Sequence, residues 1–397
     1  MSQTGPLAGI RVIELGSYIA APYAGVLLAS LGAEVIKIEV PGGGDPFRRA
    51  QGTQSPYFAQ YNAGKKSLAV GLKDPHGVAL VQALIRGSDV VLENFRPGKL
   101  EALGLGPEAS RAGHPTLIYA SVSGFGPGGE LSQRPAYDSV AQSVTGLYAL
   151  LNDEGQPRPT GAPMADLISG VVTAAGILAE LVGRFRTGAG SRVETSMFES
   201  VSALTIDSMT QLFETGVPPS MPSRHPQAQL FCVRTSSGQY LTVHLSSSDK
   251  FWRRFAEVIG HPELIADPRF ADYAARVSNY PQLIEVASAA FATRDAASWE
   301  AALLAADLPF APVLGLDEVV AHPQTQWLQL LQDAPDAATT LVRAPWRLNG
   351  ERPARGAKVP EVGEHTRELA LEILPPDDVE VLISKGVLFV PAPPPAP

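Results

Sequence analysis

Four short apolar runs, near residues 10 to 15, 34 to 39, 89 to 94 and 116 to 122, constrain this chain most. RVIEL, EVIKIE and VVLEN place apolar side chains at neighbouring positions, so both faces of each strand need cover. Helical patterns at 21 to 31, 74 to 87 and 137 to 150 separate the runs. Alternation of this kind predicts a mostly parallel sheet with helices on both faces, a doubly wound, Rossmann-like α/β domain.

The second half reads differently. A helical pattern near 197 to 215 precedes the stretch at 216 to 226, whose repeated prolines stop helix and strand alike and mark a linker. A hairpin-like pair follows around Ser236-Ser237-Gly238, then helical patterns near 249 to 259, 281 to 292 and 297 to 306, which together make a smaller α+β domain. A last helix is predicted near 365 to 374. The expected organisation is a large domain over 1–215, a linker at 216–228, a small domain over 229–325, a return to the large domain over 326–390 and a disordered proline-rich tail at 391–397. Two domains also agree with a length of 397 residues.

Charge and cysteine content exclude several classes. A net charge of −9 leaves no basic stripe for a phosphate backbone, so no nucleic-acid partner is expected. Cys232 is the single cysteine, which rules out an internal disulfide or a thiolate cluster and suits the cytoplasm; it is expected to be buried in the FCVRT strand. The opening MSQTGPLAG has no basic, apolar leader pattern, and no run is expected to reach the ~18 apolar residues of a membrane span. The histidines are scattered without a metal-type pair, so no metal is expected.

Two phosphate-binding patterns fail on context. Gly124-Phe125-Gly126-Pro127-Gly128-Gly129 fits G-x-G-x-x-G, but Pro127 and Pro135 delay the next helix to about 137, so no helix N-terminus stands ready for a pyrophosphate. This stretch reads as a loop beside the active site. Ala63-Gly64-Lys65-Lys66-Ser67 lacks the first glycine of a phosphate loop and has no Ser or Thr directly after Lys65.

Asp166 closes the run GAPMAD and opens an apolar helix with Leu167, Val171, Ala174, Leu178, Leu181 and Phe185 at spacings of 3 and 4. Taken alone, it reads as the helix N-cap. The blocks RVIEL, LGAEVIKIE, ENFRPG, SVSGFG, the GAPMAD helix and RFRTGAGSRVETSM, in that order, change the reading. Over Leu7 to about Leu374 the chain resembles the class III CoA-transferases, the CaiB/BaiF or formyl-CoA transferase-like family.

That resemblance implies an interlaced homodimer and CoA exchange between an acyl-CoA and a free carboxylic acid, with Asp166 as the nucleophile. It implies no permanently bound cofactor, coenzyme A and acyl-CoA being substrates. Ala20, Lys73, Asn94 and Phe95 match positions lining the CoA site, and Arg48, Arg96 and Lys99 are neighbouring candidates for its phosphates. Some members have glutamine at the position of Ile19, arginine at Val40 and a basic residue at Ala102. Tyr137 is a substrate-pocket candidate: 2-methylacyl-CoA racemases place a histidine base there, and a tyrosine of pKa near 10 is a poor substitute. A racemase or epimerase, or a silent CoA-binding homologue, is the alternative reading.

Overall fold

The computed structural model describes residues 5–153, 155–334, 339–353 and 356–392. Of the predicted tail at 391–397, residues 393–397 lie outside the described residues. The described chain forms two compact units.

The larger unit runs to Tyr148, resumes over Pro159–Ile206 and again from Gln324. Its sheet contains β1 (Arg11–Leu15), β2 (Glu34–Glu39), β3 (Lys66–Val70), β4 (Val90–Glu93), β5 (Ile118–Ser123) and β6 (Arg192–Ser196). These six are parallel in the order β3-β2-β1-β4-β5-β6, and a short strand, Leu388–Phe389, adds antiparallel to the β3 edge. The order reverses between β1 and β4, which makes the carboxyl ends of those strands the expected ligand crevice.

Strand alternation explains both covered faces. Val12, Val35, Val90 and Ile118 pack with helices Ala20–Ser30 and Met164–Thr187, whereas Ile13, Ile36, Val91 and Leu117 pack with Pro75–Arg86 and Pro376–Ser384 on the other side. The resulting architecture is a doubly wound α/β fold.

Met164–Thr187 corrects one expectation. By length and composition alone this helix would cross a membrane. It buries Ala165, Ser169, Gly170, Thr173, Ala174, Ile177 and Leu181 along one face, and its apolar character serves the core there. Gly170 permits its close crossing with Ala20–Ser30, since a Cβ would come 2.9 Å from the Ala20 carbonyl oxygen.

The smaller unit comprises the described residues of Ala149–Arg158 together with Asp207–Pro323. Strands Leu230–Arg234, Tyr240–His244 and Phe310–Pro312 form an antiparallel sheet over an aromatic core. Phe291 and Trp299 stack at 4.4 Å, and Phe231 and Phe255 at 4.9 Å. Cys232 is exposed, contrary to expectation: the strand alternates, with Phe231 and Val233 inward and Cys232 outward.

Two predicted helices are divided. The pattern near 197 to 215 becomes Met197–Leu204 and Ile206–Thr215, and the one near 137 to 150 becomes Asp138–Val144 and Leu147–Leu151, interrupted at Gly146 with φ +79°. The proline-rich stretch is not devoid of helix either, since Pro222 and Pro226 occupy the first turns of Met221–Arg224 and His225–Ala228, where a missing N–H costs nothing.

Candidate active site

A cavity of about 200 Å³ opens at the carboxyl ends of β1, β4 and β5. Ser17, Tyr18 and Ile19 follow β1; Asn94, Phe95, Arg96 and Pro97 follow β4; Ser123 and Gly124 belong to the end of β5. Ser132, Arg134, Pro135, Ala136, Tyr137, Asp166 and Met197 complete much of the wall. The position is the switch point of the sheet. A larger open hollow of about 1050 Å³, lined by Thr53, Lys358, Glu361 and Arg367, contains none of the predicted site residues.

Asp166 is the only carboxylate among the described lining residues. It occupies the third position of Met164–Thr187, inside the first turn, while Pro163 is the flanking cap residue. The N-cap reading is therefore corrected. The carboxylate that accepts amides at this end comes from elsewhere: Asp138 Oδ1 receives Ala165 N–H at 2.8 Å and Asp166 N–H at 3.3 Å.

Burial, followed by the nearby Asp138 charge, pushes the Asp166 carboxyl up to about 7. Tyr61, on helix Pro56–Asn62, is pushed up to about 12, by burial first and by Asp166 second.

Tyr18 has φ +64°, a left-handed conformation that costs a bulky residue about 1–3 kcal/mol. Neighbouring groups hold it there. Its ring meets Phe47 edge-on at 5.2 Å and Tyr137 at 6.0 Å. Burial and Tyr137 raise the Tyr18 phenol above its ordinary value. Gly124 allows the neighbouring loop to approach, because a Cβ would lie 2.4 Å from that of Ala136.

Beneath the β1 loop lies a buried ion network. Lys37 Nζ contacts Glu14 at 3.0 Å, Asp45 at 2.9 Å and the Gly16 carbonyl at 2.7 Å. Lys65 Nζ donates to Glu14 at 2.7 Å, the Pro22 carbonyl at 2.9 Å and Asn62 Oδ1 at 3.0 Å, and burial pushes it down to about 8. The lysine of the failed phosphate-loop pattern is thus committed to the interior.

Of the residues predicted to meet CoA, Asn94, Phe95 and Arg96 line the cavity together with Tyr137. Lys99 is exposed on the same β4 loop, and Lys73 is exposed on the loop after β3. Neither they nor Arg96 has an ion-pair partner among the described residues, which leaves their charges available. Ala20 is buried at the start of its helix and borders Gly170. Arg48 lies apart: it is buried, forks onto Glu39 with a shortest contact of 2.7 Å, donates to the Pro360 carbonyl at 3.0 Å and covers the Phe58 ring at 3.6 Å. This geometry gives Arg48 an interior structural role, correcting the phosphate-contact expectation.

Sequence reasoning missed Asp138, Tyr61 and Arg134. Asp138 stands next to Tyr137, but an acid in the first turn of its own short helix has a sufficient local explanation. No local pattern reveals that its side chain reaches another helix. Arg134 lines the cavity and has no side-chain partner among the described residues.

A half-buried carboxylate at a switch-point crevice, beside a loop bearing unpaired cations, defines a site suited to covalent chemistry on an anionic ligand. The chain belongs to CoA-transferase family III, whose profile matches residues 7–366. It is 32% identical over 394 residues to succinyl-CoA:glutarate CoA-transferase of Mus musculus, covering 96% of this chain and 90% of that one. It is 36% identical over 327 residues to acetyl-CoA:oxalate CoA-transferase of Acetobacter aceti, covering 81% and 84% respectively. A CaiB/BaiF family protein from Brucella suis superposes with a TM-score of 0.79 at 29% identity, covering 93% of this chain and all of that one. The protein is an acyl-CoA:carboxylate CoA-transferase, with CoA thioesters and carboxylic acids as substrates.

Proposed function

We propose that the protein transfers CoA through covalent intermediates on Asp166. The observation that carries this reading is the isolation of Asp166 as the sole carboxylate among the described lining residues, partly desolvated at the start of a helix. Ionised Asp166 attacks the donor thioester carbonyl and expels CoA thiolate, leaving a mixed anhydride. The thiolate attacks the aspartyl carbonyl, releasing the donor acid and forming an aspartyl-CoA thioester. The acceptor carboxylate then attacks that thioester, again freeing CoA thiolate; attack of the thiolate on the acceptor acyl carbonyl releases product and Asp166. Overall one thioester replaces another, so no external energy source such as ATP is required.

Arg96, Lys99 and Lys73 are proposed to meet the CoA phosphates, with Asn94 and Phe95 bordering the pantetheine arm and Ala20 contributing backbone only. Arg134 supplies a further cation, which favours an acceptor with a second carboxylate. Several relatives act on dicarboxylic acids by name, among them glutarate and oxalate. Tyr137 bounds the substrate pocket, and no histidine is among the described lining residues, which favours transfer over racemisation. We further read the protein as a cytoplasmic homodimer: Val182 and Phe185 stand 62% and 80% exposed on the outer face of Met164–Thr187.

Supplying succinyl-CoA with oxalate, glutarate or a monocarboxylic acid, and reading the product masses, tests this assignment. Dicarboxylates are expected to be the better acceptors. Deuterium entry at the α-carbon of a 2-methylacyl-CoA in heavy water, without CoA transfer to any acid, would contradict it.

A further inference from the structure

The amides with which the nucleophile's helix would greet an anion are already engaged. Asp138 Oδ1 accepts both Ala165 N–H and Asp166 N–H, and its Oδ2 accepts Gln142 Nε2 at 2.6 Å. Gln142 is fully buried; it also donates to the Ala162 carbonyl at 3.1 Å and accepts the Thr160 hydroxyl at 2.7 Å. One side-chain network, anchored on helix Asp138–Val144, therefore ties down both the loop before Asp166 and the turn that carries it.

We propose that Asp138 is a positioning residue for Asp166, fixing the first turn of the nucleophile's helix through the two amides it accepts and placing a second carboxylate beside the first. The proposal rests on the covalent role of Asp166. Ionisable groups surround Asp166 on several elements: Asp138 and Tyr137 at the start of Asp138–Val144, Tyr61 on Pro56–Asn62, Tyr18 after β1, Arg96 after β4 and Arg134 on the loop before Tyr137. Asp138 is the other carboxylate of this set, and its charge joins burial in raising the Asp166 carboxyl. A more basic carboxylate is a stronger nucleophile once ionised.

The arrangement has a second chemical consequence. With two amides of the first turn committed to Asp138, they are not free donors for the oxygen that gains charge when the thioester is attacked. That oxygen has to be held by other groups of the cavity wall.

The first half-reaction, succinyl-CoA without an acceptor, is to be timed from pH 5 to 9 in the wild type, Asp138→Asn and Asp138→Glu. Asn retains an amide-accepting oxygen but not the charge, so its acidic limb should move down by about one pH unit. Glu retains the charge and misplaces it, so its limb should stay while its plateau falls about tenfold. An unmoved acidic limb in folded Asp138→Asn overturns the charge role. A wild-type plateau in Asp138→Glu overturns the positioning role and provides a decision even if the Asn protein fails to fold. Absence of any enzyme-bound thioester in the wild type removes the Asp166 reading itself, and this proposal with it.

Discussion

Asn94 and Ser17 clasp each other across the crevice between β1 and β4: Ser17 N–H donates to Asn94 Oδ1 at 3.0 Å, and Asn94 Nδ2 donates to the Ser17 carbonyl at 2.9 Å. The pair joins the two loops that carry Tyr18, Ile19, Phe95 and Arg96 into the cavity. Each such bond contributes about 1 kcal/mol. Asn94→Ala is predicted to raise KM for the CoA donor about tenfold, while Asn94→Asp, which retains one acceptor, falls between the two. Steady-state kinetics with the donor varied checks this ordering.

Asp166 should destabilise the folded protein at alkaline pH. Its carboxyl is raised from the ordinary aspartate value to about 7, so through that window the folded protein holds more protons than the unfolded chain. Stability from this group is therefore present at acid pH and lost as pH rises to about 7. Asp166→Asn removes this half-buried charge. Its Tm should exceed that of the wild type by a few degrees at pH 8, and the two should converge toward pH 4. Thermal melts across this range provide the check; a lower Tm for the variant at pH 8 would contradict the prediction.

The buried network tests a different link between packing and function. Lys37→Met leaves Glu14 and Asp45 without their shared ammonium group beneath the β1 loop. The expected cost is about 3–5 kcal/mol, read from denaturant unfolding. By comparison Arg367→Met, which removes an exposed partner of Glu380, should cost less than about 1 kcal/mol.

The parallel sheet was legible because burial on both faces leaves continuous apolar runs, as in Val12-Ile13 and Val90-Val91. β3 and β6 were not: KSLAV opens on two polar residues and carries only a short apolar run, and RVETS is an edge strand with exposed alternate residues and no apolar run. Asp166 stood out through its helix, but its cap did not: Asp138 acts across 27 and 28 positions, and such pairing has no period. Arg48 was misread for the same reason, because only the fold brings Glu39 and Phe58 around it. Charge on a sequence does not disclose which cations face solvent.

The outward apolar face of Met164–Thr187 predicts a dimer. Light scattering of the dilute protein should give twice 41.9 kDa. Val182→Glu with Phe185→Glu should weaken association, lowering activity as concentration falls. A fully active, stable monomer would contradict this assembly.

A CoA thioester on Asp166 can be detected directly. The enzyme should be mixed with succinyl-CoA in the absence of acceptor, treated with hydroxylamine and digested, and the peptide spanning Pro163 to Ile168 examined by mass spectrometry. A hydroxamate on Asp166, absent from Asp166→Asn and lost when acceptor acid is added first, is the predicted result. Transfer continuing at the wild-type rate in Asp166→Asn, after deamidation back to aspartate is excluded, would show that Asp166 is not the nucleophile.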